Sequence, residues 1–215
     1  MPEFRLIILN LIPMLLSLSV HEFSHALVAD RLGDPTPRRQ GRLTLSPLAH
    51  YDVFGTLIVP IVATLVSGFA LIGWAKPVEF VPSNLTRRLS MRQGAAVVAL
   101  AGPLSNLLLS VISVALLGVL SQVRPELVVG TGLGDLLEVM AILNIGLCVF
   151  NLLPLPPLDG SYLLPRSFDD LKASIAPYSF LIILILLNIP LVREYFFEIP
   201  IVTVRGVLGS WFGAG

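Results

Sequence analysis

Val20-His21-Glu22-Phe23-Ser24-His25-Ala26 decides the fold, because it places three ionisable side chains inside a long apolar run. In a helix, residues four apart share one face, so the rings of His21 and His25 can both point at one metal ion. Glu22 then projects beside that ion, where it can deprotonate a bound water. Ionisable side chains inside a membrane span cost roughly 2.5 kcal/mol or more each and mark functional sites. The stretch therefore predicts a metal centre inside a membrane helix.

The composition agrees with a membrane protein. The 215-residue chain is 55% apolar and 13% charged, with a mean hydropathy of +0.86, whereas a soluble domain carries about 25% charged residues. So few charges cannot cover a soluble surface, and we predict an all-α integral membrane protein with a single domain over 1–215. The net charge is zero and no basic cluster stands out, which argues against a nucleic-acid partner.

Apolar segments divide the chain. Helices are expected in them, because backbone polar groups in lipid must be satisfied within the segment. Residues 42–46 and 73–80 alternate polar and apolar side chains and predict short strands. Residues 193–215 predict an interfacial segment, with Tyr195-Phe196-Phe197 and Trp211-Phe212 as anchors. The predicted membrane segments are 5–30, 56–73, 93–121, 137–155 and 174–192.

Two histidines do not complete a catalytic zinc site, which takes three protein ligands and leaves one position open. One further candidate is His50, and another is Asp159, in Asn151-Leu-Leu-Pro-Leu-Pro-Pro-Leu-Asp-Gly160. Three prolines preclude a regular helix there, and irregular backbone at membrane depth needs protein or a water-filled cavity around it. A carboxylate in that place is costly unless it binds something. A turn or helix-capping role for Asp159 is the alternative.

Three other polar residues are candidates for the surroundings of the metal ligands. His50, with Asp52, is either a partner of a ligand, an inhibitory fourth ligand or a loop-stabilising residue, and we favour the last. Asn106 lies near Gly102 and Pro103 in an apolar segment, which favours tight helix packing with an interhelical hydrogen bond. Asn144 is interpreted in the same way. Substrate contact is the alternative for both asparagines.

The motifs together resemble the site-2 protease family of intramembrane metalloproteases, peptidase family M50. The resemblance implies one zinc ion per chain, held by His21, His25 and Asp159, with Glu22 as the general base. It implies that Asn151 contacts the substrate or the oxyanion. It also implies cleavage of transmembrane protein substrates, usually after a first cut by another protease. The matching motifs are His21-Glu-Phe-Ser-His25, Ala101-Gly-Pro-Leu-Ser-Asn106 and Asn151-Leu-Leu-Pro-Leu-Pro-Pro-Leu-Asp-Gly160.

Two further stretches, His50-Tyr-Asp-Val-Phe-Gly-Thr56 and Gly73-Trp-Ala-Lys-Pro-Val78, resemble a compact bacterial subgroup without PDZ or CBS domains. Val53 stands where that subgroup usually has proline. The subgroup implies a bacterial plasma membrane, and a homo-oligomer stays open. A non-proteolytic zinc-binding scaffold and an ion transporter are the alternative functions. A scaffold would not need Glu22, and a transporter usually shows paired repeats, which the sequence lacks.

The position of His25 constrains the topology. It lies about 8 Å of helix from the loop at 31–52, so Asp159, as the third ligand that the resemblance implies, has to approach from that same side. Simple alternation of spans would place Asp159 on the other side, whereas a segment 56–85 that enters and returns corrects this. The loops at 31–52, 76–92 and 160–173 then share one side with ten of the fourteen Lys and Arg residues. By the positive-inside rule, that side is cytoplasmic, the N-terminus is outside and the site lies nearer the cytoplasm.

Cysteine labelling tests this topology. In a Cys148→Ala background, we expect Thr36→Cys and Ser90→Cys to react with a membrane-impermeant maleimide from the cytoplasmic side, because both loops lie there. Labelling is measured on right-side-out and inside-out vesicles. Reaction of the two positions from opposite sides would contradict the re-entrant arrangement.

Overall fold

A computed structural model describes residues 2–67, 73–86, 88–194 and 198–212. Every regular element in these ranges is helical, which confirms the predicted all-α class. The predicted interfacial residues 195–197 lie outside the described ranges, as do the side chains of Trp211 and Phe212. In chain order the α-helices are α1 (Pro2–Arg31), α2 (Thr36–Arg39), α3 (Val59–Ser67), α4 (Met91–Val123), α5 (Gly132–Asn151), α6 (Asp169–Ile175), α7 (Ser179–Asn188), α8 (Pro190–Arg193) and α9 (Ile199–Phe212).

Three of these helices, α1, α4 and α5, are long and apolar enough to cross a membrane. The shortest, α5, has 20 residues, or about 30 Å of helix, which matches the thickness of a bilayer's hydrocarbon core. The segment predicted to span at 174–192 is instead divided among α6, α7 and α8. Pro177 and Pro190 stand at its breaks, because a proline cannot donate to the preceding turn.

Local sequence sets where the long helices begin and end. Ser90 and Gln93 form a capping box at the start of α4, in which the Ser90 hydroxyl accepts from the Gln93 amide and the Gln93 side chain accepts from the Ser90 amide. The hydroxyl of Thr131 accepts from the Gly134 amide at the start of α5. Helix α5 ends at Asn151 rather than at 155, because Pro154 disfavours helical backbone in the residue before it.

Helices α1, α4 and α5 pack against one another around small apolar clusters. One cluster joins α1 to α5 and to residues 73–81, which we call the returning segment, and another joins α1 to α4 near residue 85. Helix α9 packs on α4 and α5 through Val204, so the part of the predicted interfacial segment that the structure describes is a helix on the bundle. The first cluster contains Met14, Leu18, Ala75, Leu143 and Leu147, and the second contains Ala29, Leu85 and Val98.

Residues 53–67 and the returning segment form the two described arms of an excursion. A π-helical turn (Val53–Ile58), capped by the Asp52 carboxylate, leads into α3. The chain returns to the point of departure, where the Trp74 amide donates to Gly55 O at 3.0 Å and the Thr56 hydroxyl donates to Trp74 O at 2.9 Å. A Cβ on Gly55 would overlap the Trp74 ring. Residues on both arms of the excursion therefore touch at its base.

The short strands predicted at 42–46 and 73–80 are not formed in the described part of the chain. Residues 42–46 are held by local turns, such as the bond from the Arg42 amide to Pro37 O. In the returning segment, alternate amides donate inward to separate acceptors: Trp74 to Gly55 O, Lys76 to His50 O, and Val78 to the Glu22 carboxylate. That alternation is typical of extended backbone, but these acceptors belong to loops and helices rather than to a neighbouring strand.

Asp34, which is completely buried, fixes the far end of this returning segment. Its Oδ1 accepts from the amide and hydroxyl of Thr36 and from Asn84 Nδ2, while its Oδ2 accepts from the Val81 amide at 2.6 Å. Burial favours the protonated acid, but these hydrogen bonds outweigh it and hold the pKa of Asp34 below its usual value. The carboxylate therefore links the end of α1 to residues 81–84.

The loops lie at the two ends of the bundle formed by α1, α4 and α5. At one end, the Thr86 amide donates to Leu32 O, and Arg92 contacts Leu164 O and the Asp169 carboxylate. Loops 31–52, 76–92 and 160–173 are therefore neighbours in space. At the other end, Arg5 pairs with Asp135 at the start of α5.

Candidate metal centre

His21 and His25 lie on one face of α1, and Asp159 meets them from the irregular segment after α5. The two Nε2 atoms are 3.0 Å apart. Oδ2 of Asp159 lies 3.2 Å from Nε2 of His21 and 3.3 Å from Nε2 of His25. Both imidazoles are buried and Asp159 is largely so. The structure thus brings together the three residues that the sequence predicts as ligands.

The hydrogen-bond partners of these rings favour the neutral tautomer in which the proton lies on Nδ1. Nδ1 of His25 lies 2.8 Å from Val98 O, and Nδ1 of His21 lies 2.6 Å from Oδ1 of Asn106. A carbonyl oxygen only accepts, so each Nδ1 is the donor and each neutral ring presents a lone pair at Nε2. Among the described residues, no hydrogen-bond donor reaches the buried Oδ2 of Asp159. In the neutral form of both rings three lone pairs face one another, which is an arrangement that can bind a cation.

The donor set fits zinc. Two imidazole nitrogens and one carboxylate oxygen are a common ligand set of catalytic zinc sites, which keep a fourth position open for water or substrate. Donation of each outer ring nitrogen to an oxygen acceptor is also the usual arrangement around zinc-bound histidines.

Glu22 lies next to this cluster in the chain and is also buried. Its Oε2 accepts a hydrogen bond of 2.8 Å from the Val78 amide of the returning segment. That contact places the extended residues 76–80 directly beside the carboxylate. The sequence predicted the role of Glu22 but not this bond, since the partner is a backbone group 56 residues away and leaves no side-chain signature.

Two glycines allow the close approach of the three elements. A Cβ on Gly102 of α4 would overlap the imidazoles of both His21 and His25. A Cβ on Gly160 would overlap the carbonyl oxygens of Leu152 and Leu153, so Gly160 lets the chain fold back and carry Asp159 inward. Both glycines stand in the motifs quoted above, but their packing against the site could not be predicted from spacing.

The remaining candidate residues occupy different places. His50 is buried in its loop, where Nε2 donates to Thr44 O at 2.9 Å, and it is not part of the three-residue cluster. Asn151 donates to Leu147 O within its own helix. Asn106 contacts His21 and donates to Oδ1 of Asn144 at 2.8 Å. Asn106 of α4 thus contacts a predicted ligand directly, and Asn144 of α5 is connected to that ligand through Asn106.

Comparison with known proteins finds one peptidase family and several relatives whose names include zinc metalloprotease. The sequence profile of "Peptidase family M50" matches residues 118–190. The chain is 38% identical over 186 residues to "Putative zinc metalloprotease YwhC" of Bacillus subtilis, covering 84% of this chain and 80% of that protein. It is 33% identical over 189 residues to "Putative zinc metalloprotease Rip2" of Mycolicibacterium smegmatis, covering 86% and 68%, and 30% identical to the Rip2 protein of Mycobacterium tuberculosis H37Rv, with the same coverage. No solved structure matches.

The packing at Gly102 gives a test of the metal centre. We expect Gly102→Ala to lose its bound zinc, because the added methyl group occupies space against both imidazoles. Zinc content is measured on purified protein by mass spectrometry. Alanine favours a helix over glycine by about 1 kcal/mol, so helix propensity alone predicts no damage. The control is Gly132→Ala in α5, where a Cβ meets nothing within 4 Å; equal zinc content in the two variants would contradict the assignment.

Proposed function

The chain belongs to peptidase family M50, and from this premise we propose that it is a zinc-dependent endopeptidase that hydrolyses peptide bonds of transmembrane substrates within the membrane. One observation carries the proposal: His21, His25 and Asp159 converge between apolar helices, with one possible ligand atom from each residue within 4.8 Å of the others. Glu22 supplies a carboxylate beside them, which binding of a metal alone would not require.

The three ligands and Glu22 have different chemical roles in this proposal. Zinc bound by His21, His25 and Asp159 would lower the pKa of a water molecule and polarise the carbonyl under attack. Glu22 would act as the general base toward that water and would return the proton to the nitrogen of the leaving amine. Since its Oε2 accepts from Val78, we assign the proton transfer to Oε1. A positioned general base of this kind contributes about 10²–10⁴-fold to the rate.

The depth of the site supports a substrate within the bilayer. His21 lies ten residues before the end of α1, or about 15 Å of helix, so the cluster is below the loops that close this end of the bundle. Those loops carry most of the cationic residues, and we propose that they face the cytoplasm. The substrate bond would then be cut nearer the cytoplasmic side of a bacterial plasma membrane.

The returning segment offers a place for an unwound substrate. A helix must open before its amide bonds become accessible, and pairing with an exposed extended segment satisfies the freed backbone groups. Trp74, Lys76 and Val78 direct their amides inward, so the backbone groups of Pro77 and Glu79 point to the opposite edge. We propose that a substrate strand pairs with this outer edge, next to Glu22.

Glu22→Gln tests the catalytic assignment. Glutamine keeps the shape and can still accept from Val78, but it cannot take a proton, so cleavage should fall by about 10²–10⁴-fold while zinc content stays unchanged. Substrates are captured by crosslinking to the Glu22→Gln protein and then offered to the unmodified enzyme in detergent, with products identified by mass spectrometry. A scaffold or a transporter would yield no cleavage product with either form.

Glu79→Pro tests the substrate strand. Proline removes the outward amide of residue 79 and leaves the bond from Val78 to Glu22 in place, so we expect cleavage to weaken mainly through a higher KM. The matched control is Glu79→Ala, which also loses the side chain and its contact with Gln40 but keeps the amide. Zinc content should be normal in both. Equal kinetics for the proline and alanine variants would rule out pairing at this edge.

A further inference from the structure

We propose that Asn144, acting through Asn106, fixes the ring proton of His21 on Nδ1 and thereby keeps Nε2 available for the metal. Asn144 is a positioning residue in this scheme, since it touches neither His21 nor the cluster of donor atoms. The inference rests on the proposed metal centre, but it concerns the protonation of one ring and can be measured without catalysis.

The contacts form one continuous chain through the three long helices. Nδ2 of Asn144 on α5 donates to Met140 O and to Oγ of Ser17 on α1, both at 2.8 Å. Oδ1 of Asn144 accepts from Nδ2 of Asn106 on α4 at 2.8 Å. Oδ1 of Asn106 in turn faces Nδ1 of His21 at 2.6 Å. Ser17, Asn106 and Asn144 are completely buried.

A group that cannot rotate decides which atoms donate and which accept in this series of hydrogen bonds. Met140 O is a backbone carbonyl within α5 and can only accept, so the amide nitrogen of Asn144 has to face it. The oxygen of Asn144 is then turned toward α4, which obliges Asn106 to present its nitrogen to Asn144. Asn106 consequently presents its oxygen to His21, and Nδ1 of His21 has to be the donor.

If the side-chain amide of Asn106 turned over, so that its nitrogen and oxygen exchanged places, the chemical consequence would be specific. Its amide nitrogen would face Nδ1 of His21, and the ring would then accept at Nδ1 and carry its proton on Nε2. A protonated Nε2 has no lone pair for a metal and would point at Nε2 of His25, 3.0 Å away. The backbone of α5 thus selects the metal-binding form of a ring on α1 through two side-chain amides.

His25 provides an internal comparison. Its Nδ1 donates directly to Val98 O, a backbone carbonyl of α4, so its tautomer is fixed without any side chain. Only His21 depends on an amide that can turn over. Substitution of Asn144 should therefore affect His21 and leave the ring of His25 as it is.

The first measurement is the tautomer of each histidine in the metal-free protein, by 15N NMR of the imidazole rings at alkaline pH. We expect His21 to be protonated at Nδ1 in the unmodified chain and to become a mixture of tautomers in Asn144→Ala. The control is Ser110→Ala, which removes another buried hydrogen bond between α4 and α5, from Ser110 Oγ to Ala141 O, without a link to His21. A single Nδ1 tautomer retained in Asn144→Ala would overturn the inference.

The second measurement is zinc affinity by competition with a chelator. Loss of a residue that orients a ligand lowers metal affinity about 10–100-fold, and we expect this for Asn144→Ala but not for Ser110→Ala. Adding Asn106→Asp to Asn144→Ala should restore affinity toward the original value, because an aspartate presents an oxygen to His21 in either orientation. A purely structural role for Asn144 would not be rescued in this way, so failure of the double variant alongside a normal His21 tautomer would overturn the inference.

The two readouts separate this inference from the proposed function. If the unmodified chain binds no zinc, the metal centre is wrong, and the tautomer of His21 still reports on Asn144. If the chain binds zinc and Asn144→Ala binds it equally well, the metal centre stands and the role of Asn144 is wrong. Variants that fail to fold are recognised from the resonances of His50, whose loop lies outside the three-helix contact.

Discussion

The close approach of three electron-rich side-chain atoms is the constraint on which the rest of the structure depends. Nε2 of His21, Nε2 of His25 and Oδ2 of Asp159 lie within 3.0–3.3 Å of one another, and their lone pairs repel unless a cation is shared. Burial between apolar helices removes the water that would otherwise solvate them. Gly102 supplies the open space beside the rings, and the prolines before Asp159 keep that segment out of a helix.

The surroundings of this cluster show how a protein in lipid supports polar groups that have no water. Buried polar atoms need partners within the protein, and here the partners are placed on different elements. Oδ1 of Asn106 accepts from Nδ1 of His21, and Val98 O accepts from Nδ1 of His25. The Val78 amide donates to Glu22. Near the loops, the Asp34 carboxylate accepts from the Val81 amide at the end of the returning segment and from Asn84. The hydrogen bonds that satisfy the site therefore also join its elements.

The sequence predicted the parts of the site that depend on local geometry. Helical spacing placed His21 and His25 on one face, and the family motif added Asp159. Contacts that depend on how one helix is rotated against another could not be predicted, so the connection from Asn106 to Asn144 appears only in the fold. The strand predicted at 73–80 failed for a related reason: alternation indicates extended backbone, but a strand also needs a neighbouring strand, and this segment has helices and loops beside it.

The chain of amides between α1, α4 and α5 also restricts how the molecule can move. Sliding one helix by a turn displaces its side chains by about 5.4 Å and would leave the amides of Asn106 and Asn144 buried without partners, at about 1–3 kcal/mol for each group. These hydrogen bonds therefore oppose sliding of the three helices against one another. Movements near the site are then carried most easily by elements outside these three helices, such as residues 73–81, whose Val78 amide contacts Glu22.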